Sequence, residues 1–264
     1  MSRQKGIIKL VGNIGGMSFY TSNGEYLART AGGPTKEQIN NGANFVRTRE
    51  NNKEFGGSAK VGKALRTALS GVVQTMGGSN LAARLTAVFK SINSRATGIR
   101  GKRPIALTTS KDMLRGLELN EKLSLTSVFN APYEVEANAE RTEVSLSVPS
   151  FVPMNFIKAP AGATKFRLTL ACGLVSDYSF DDSTRNYEPD NPIQNALGNT
   201  TSGALTPIGN TPVTFSLSLT VPNAIEPDND VSVVTCLGIE FYQEVSGTDY
   251  LLAQGNTMQI IGVF

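Results

Sequence analysis

The sequence predicts an α+β chain in three successive parts. These are an N-terminal β-ribbon or meander, a helical middle region, and a C-terminal antiparallel β-sandwich of immunoglobulin-like size. Three features of the apolar pattern predict it. Strand-like runs broken by glycine open the chain, a helical period sets in near Phe45, and period-two alternation takes over after Asn120. The expected boundaries are 1–34, 35–119 and 120–264. With 264 residues, 40% hydrophobic and 18% charged, the composition supports a packed core.

The ribbon covers residues 6–30. Ile7, Ile8 and Leu10 read as a strand before the glycines, and Met17, Phe19, Tyr26 and Leu27 as strand residues after them. Asn23-Gly24 is the favoured two-residue hairpin turn, because both positions tolerate positive φ. Ala31-Gly32-Gly33-Pro34 ends the pattern. The run Gly12-Asn13-Ile14-Gly15-Gly16 raises the question of a phosphate cradle. A Walker-type loop needs lysine after its glycines, and a dinucleotide fingerprint needs a helix there. Met17-Ser18-Phe19-Tyr20 supplies neither, so the glycines bend a ribbon. Gly12, Gly15, Gly16, Phe19 and Tyr20 are its candidate residues.

From Phe45 to Met76, Phe55, Ala59, Leu65, Leu69, Val72, Val73 and Met76 share one broad helical face. Arg49, Lys53, Lys60 and Lys63 form a basic stripe on the other side. Gly56, Gly57 and Gly62 predict a kink or a division into two helices, and Gly77-Gly78 an end. Ser79 is the expected N-cap of a second helix, whose apolar face is Leu81, Leu85, Val88, Phe89 and Ile92. An Arg- and Gly-rich loop follows from Arg95 to Arg103, then a short helix, Lys111 to Leu117, capped by Ser110.

Leu123, Leu125 and Phe129 open the strand series. Tyr133–Ala137 and Glu143–Val148 make a hairpin around residues 138–141. Phe166 to Cys172, Phe215 to Val221, Val231–Val245, Tyr250–Ala253 and Met258–Val263 continue it. Residues 181–212, rich in Asn, Asp, Pro, Gly and Thr, read as an excursion from the sheet. Seven or more such strands are the signature of a sandwich.

Histidine and tryptophan are absent. Without histidine the commonest general base and metal ligand are missing, so no catalytic, cofactor or metal residues are assigned and an enzyme is not expected. Carboxylates remain: Asp177, Asp181, Asp182, Glu188 and Asp190 in or beside the polar excursion, and Glu226, Asp228 and Asp230 in a turn. The last three lack the spacing of a calcium loop and read as turn residues. Cys172 and Cys236 sit in apolar strand contexts, read as buried thiols rather than a disulfide. No apolar run approaches the roughly 20 residues of a membrane span, and no secretory leader is read at the N-terminus. The expected location is cytoplasmic or within a released particle.

Charge is segregated. Residues 1–120 hold 19 Lys and Arg against 6 Asp and Glu; residues 121–264 hold 6 against 16. A basic front and an acidic back call for a polyanion or for another copy of the same chain. Arg49, Lys53, Lys60, Lys63, Arg100, Lys102 and Arg103 are the candidate contact residues.

Several phrases together, GIIKLVGNIGGMSFY, YLAR, FVRTRENNKEFG with LRTAL, and GIEFYQEV, resemble a group of uncharacterised proteins from Bacteroidota. The resemblance is best over the first 70 residues. It implies a bacterial or bacterial-virus origin, and since the group has no established activity no site residues carry over from it. Ala43-Asn44 stands where the group would carry a proline, so helix entry is expected to differ.

The functional expectation is a structural, self-assembling homo-oligomer, such as a subunit of a virion, phage-like particle or filament. Copies would join by β-edge pairing and head-to-tail charge attraction. The alternative is a nucleic-acid-binding or packaging protein using the basic half. No small-molecule substrate is expected.

Overall fold

The computed structural model describes residues 2–30 and 32–264. It is α+β, with an N-terminal sheet, a helical middle and a curled C-terminal sheet assembly. The chain divides into two compact units, Met1–Arg49 and Glu50–Phe264. The expected boundary near residue 119 does not separate units, because the helices after Glu50 share a core with the C-terminal sheet.

The first unit holds β1 (Ser2–Arg3), β2 (Gly12–Ile14), β3 (Met17–Ser22), β4 (Glu25–Thr30) and α1 (Lys36–Asn41). The strands form an antiparallel sheet in the order β1-β4-β3-β2. Asn23 and Gly24, at φ 51° and 78°, turn β3 into β4, as their residue types predict. Gly15 and Gly16, at φ 56° and 79°, do the same between β2 and β3. The glycine run is therefore a hairpin turn. Ile7, Ile8 and Leu10 do not form the expected strand. The Gln4 side chain accepts from Leu10 N at 2.8 Å and donates to Leu10 O at 3.0 Å, holding the segment as a loop. The expected break over residues 31–34 includes Ala31, which lies outside the described residues. Thr35 caps α1 reciprocally with Gln38.

Helix α2 (Val46–Ala68) is entered through a 3-10 turn, Ala43–Phe45, where a proline was expected. Its glycines neither kink nor divide it. The break falls at Leu69, after which α3 (Ser70–Met76) ends at Gly77. Gly57 and Gly62 instead allow close packing: a Cβ on Gly57 would lie 2.4 Å from the Tyr187 ring, and one on Gly62 3.3 Å from Leu85. The buried face of α2 runs through Glu54, Gly57, Ser58, Val61, Leu65 and Ala68. Phe55 is one position off that face and is 54% exposed, contrary to its predicted core place. Helix α4 (Leu81–Arg95) buries Leu81, Leu85, Phe89 and Ile92 as expected, although Asn80 rather than Ser79 holds the N-cap position.

Only a 3-10 turn, Lys111–Met113, forms where a short helix was predicted, and α5 (Leu125–Val128) occupies the first predicted strand. The hairpin β5 (Glu134–Ala137) and β6 (Glu143–Phe151) follows as read, then α6 (Pro153–Phe156). The remaining strands are β7 (Lys165–Ser176), β8 (Tyr178–Asp181), β9 (Asn186–Pro189), β10 (Leu197–Ser202), β11 (Thr206–Pro207), β12 (Val213–Thr220), β13 (Val231–Val245), β14 (Thr248–Leu251) and β15 (Thr257–Val263). Residues 181–212 are thus only partly an excursion: the β8–β9 hairpin forms a separate two-stranded sheet. The rest of the segment returns to the large sheet as β10 and β11 along β7.

A six-stranded sheet (β10-β7-β13-β14, with β11 on β7 and β15 on β13) is covered on both faces. Alternation along β7 decides which side chain goes where. Leu168, Leu170, Cys172 and Leu174 point into a core shared with Val144, Leu146 and Val148 of the three-stranded sheet β12-β6-β5. Ala171 and Val175 point the other way, onto Leu65, Leu69, Leu85 and Phe89 of the helices. The second unit is therefore three layers: helices, large sheet, small sheet.

Candidate interaction surfaces

Cross-strand register sorts the N-terminal sheet into two faces. Ile14, Met17 and Thr30 are aligned; so are Gly12, Phe19, Ala28 and Ser2; so are Thr21 and Tyr26. These residues share one side, which is mainly apolar. The other side carries Asn13, Ser18, Arg29, Tyr20, Leu27, Arg3, Ser22 and Glu25. The apolar side is open to solvent: Ile14 is 58% exposed, Met17 40% and Tyr26 38%. Beside it Ile7 and Ile8 are almost wholly exposed, and Val11 largely so. Among the described residues of this unit, Ala28 alone is buried. The edge strands are short, with β1 pairing at two residues of β4 and β2 at three of β3. Phe19 lies on the apolar side and Tyr20 on the polar one, where Arg29 approaches its ring at 5.5 Å.

The seven candidate cations scatter by role. Arg49 donates to Ile39 O and Gly42 O, both at 2.8 Å, closing the turn after α1. Arg103 is spent on Glu54 through Nε (2.8 Å) and Nη2 (2.7 Å), and on Ser94 O through Nη1. Both are engaged within the fold. Lys60 donates to Tyr187 O at 2.8 Å and pairs with Glu188 at 3.1 Å, and Lys102 pairs with Asp182. Lys53 lies 4.9 Å from the Phe180 ring centre, with Lys102 at 5.5 Å from the same ring. Lys63 and Arg100 are exposed. Lys53, Lys60 and Arg185 line a cleft of about 150 Å³ between α2 and the β8–β9 hairpin. With lysines against Phe180, its ring is a poor platform for a stacked base.

Sequence reasoning missed Glu54, whose carboxylate is 2% exposed. It accepts from Arg103, from Lys90 Nζ at 2.7 Å and from Gly101 N at 2.8 Å. Burial pushes its carboxyl upward, but these three donors outweigh burial and hold it at about 2. The cluster ties the Arg- and Gly-rich loop to α2 and α4.

Of the carboxylates that sequence left as catalytic candidates, Asp177, Asp190 and Asp230 lie near one another. Asp177 N donates to Asp230 O at 2.7 Å and Asp190 N to Asp177 O at 2.8 Å, while the others are engaged separately. Asp177 is buried and accepts from Thr108 N at 3.1 Å and from the Thr108 hydroxyl; burial raises its carboxyl. Asp181 accepts from Ser183 within its own turn, and Asp182 and Glu188 are the ion-pair partners above. Burial also raises Asp190, and Asp228 accepts from Asn191 and Gln194. Among the described residues, no three His, Cys, Asp or Glu side chains are grouped to hold a metal ion. No helix among the described residues is long and apolar enough to cross a membrane. Cys172 and Cys236 are free thiols, and the core sharing above puts them on opposite faces of the large sheet.

No protein-family model, curated protein or solved structure matches the chain.

Proposed function

We propose that the protein is a structural, self-assembling subunit of a particle, filament or phage-like assembly, and that its N-terminal sheet joins one copy to the next. One observation supports this reading above the others: the sheet presents Ile14, Met17, Phe19 and Tyr26 on one side, yet its unit buries only Ala28 among the described residues. Ordering a residue costs roughly 1–2 kcal/mol in backbone entropy, and four strands with so little burial do not recover it alone. Packing the apolar side against a second copy supplies the missing burial. The free edges beside β1 and β2 add main-chain hydrogen bonds between copies.

Ile14→Asp combined with Met17→Asp tests the reading, since both side chains are exposed and their loss removes little intramolecular packing. Sedimentation velocity is expected to show large wild-type species and a variant reduced to small ones, with unchanged melting of the C-terminal unit. Variant assemblies of wild-type size would contradict the role given to the sheet.

A further inference from the structure

We infer that copies stack through two oppositely charged faces of the second unit, the helical face of one copy on the outer face of the small sheet of the next. The inference rests on the self-assembly reading and names a contact separate from the N-terminal sheet. Its basis is that the segregation of charge along the sequence becomes a segregation across the fold. Residues 50–120, which supply the helical layer, hold 12 Lys and Arg against 4 Asp and Glu. Glu54 is buried and compensated internally by Arg103 and Lys90; without these three the layer still holds 10 Lys and Arg against 3 Asp and Glu.

The opposite layer is the reverse. In β5, β6 and β12 the outward positions are Glu134, Glu136, Glu143, Ser145, Ser147, Ser216, Ser218 and Thr220, and none of the three strands contains Lys or Arg. Register places Glu136 opposite Ser145, and Glu143 two residues before Ser145. Such diagonal neighbours stand about 7–8 Å apart. Glu136 and Glu143 line a depression of about 320 Å³ with Asn138 and Ser145, roomy enough for an inserted lysine or guanidinium. Arg141, the nearest arginine in sequence, is committed to the carbonyls of Val231, Pro227 and Asp228.

The large sheet lies between the two faces. Layer spacings of about 10 Å put them roughly 20 Å apart, beyond the ~8–10 Å screening length of physiological salt. The faces therefore do not cancel within one copy and are free to attract across copies. Because a basic face meets an acidic one, the contact is heterologous. Repetition gives a ring or a polar filament, not a closed two-fold dimer.

The test uses the full-length chain in two forms. One carries Lys53→Glu, Lys63→Glu and Arg100→Glu; the other carries Glu134→Lys, Glu136→Lys and Glu143→Lys. Sedimentation velocity at low salt is expected to show each form alone at less than half the wild-type mass. An equimolar mixture should recover wild-type size, because the glutamates placed at positions 53, 63 and 100 of one form meet the lysines placed at positions 134, 136 and 143 of the other. Glutamine versions at the same positions, with circular dichroism, separate lost contact from lost folding; they should be intermediate in size. Either reversed form assembling like wild type overturns the inference while leaving the N-terminal sheet's role standing. So does a folded pair that fails to recover on mixing. Wild-type chain that does not assemble overturns both.

Discussion

Glu54 shows what a single residue does here. A carboxylate that is 2% exposed is stable only because Arg103, Lys90 and Gly101 N surround it. Its folded-state value of about 2 lies below the ordinary 4.5, so its stabilisation is complete above about pH 4.5 and is lost as pH falls toward 2. The shift corresponds to something on the order of 3 kcal/mol. Glu54→Ala leaves Arg103 and Lys90 uncompensated and is expected to cost about 3–5 kcal/mol by urea titration at pH 7, with the penalty shrinking by pH 2. An equal penalty at both pH values would contradict the electrostatic origin. Nothing local in the sequence marks Glu54 as buried, because its main partner is 49 residues away. The cysteines were legible, since alternation along apolar strands implies buried thiols. They should resist a thiol reagent in native protein and react, both of them, in denaturant; fast labelling of native protein would contradict the packing.

At the scale of elements, local chemistry was legible and long-range packing was not. Asn23-Gly24 turns β3 into β4 through its own backbone preference. The alternation in β12 and the apolar run of β13 likewise declare strands, and β13 has the bounds that the pattern suggested. The glycines of α2 misled, since glycine weakens an isolated helix but here makes room for a neighbour. Gly57→Ala should raise intrinsic helix propensity yet destabilise the protein by roughly 1–3 kcal/mol, because its Cβ falls on the Tyr187 ring. Thermal melting checks this, and a stabilised variant would show that the hairpin yields easily. Strand β10, LGNTTS, lacked any alternating apolar signal because it is a polar edge held by its hydrogen bonds to β7. The loop at residues 4–10 was misread for a similar reason: a glutamine side chain took the backbone partners that a strand would have used.

At the scale of the whole molecule, two features support the proposal of a second copy. One is the apolar side of an N-terminal sheet that buries almost nothing; the other is the pair of opposite charges on the outer layers of the second unit. The charge asymmetry was plain in the sequence, but its direction in space required the layer order. Of the seven cations first singled out, Arg49 and Arg103 serve the fold, and Lys60 and Lys102 have carboxylate partners. Lys53, Lys63 and Arg100 are the ones that the proposed contact would use. The central claim is self-assembly, and the most direct measurement is the mass of the purified full-length chain by multi-angle light scattering at low and high salt. The account predicts a large species at low salt whose mass falls as salt approaches about 1 M, where screening acts within roughly 3 Å. A clean monomer at low salt and high concentration would contradict it.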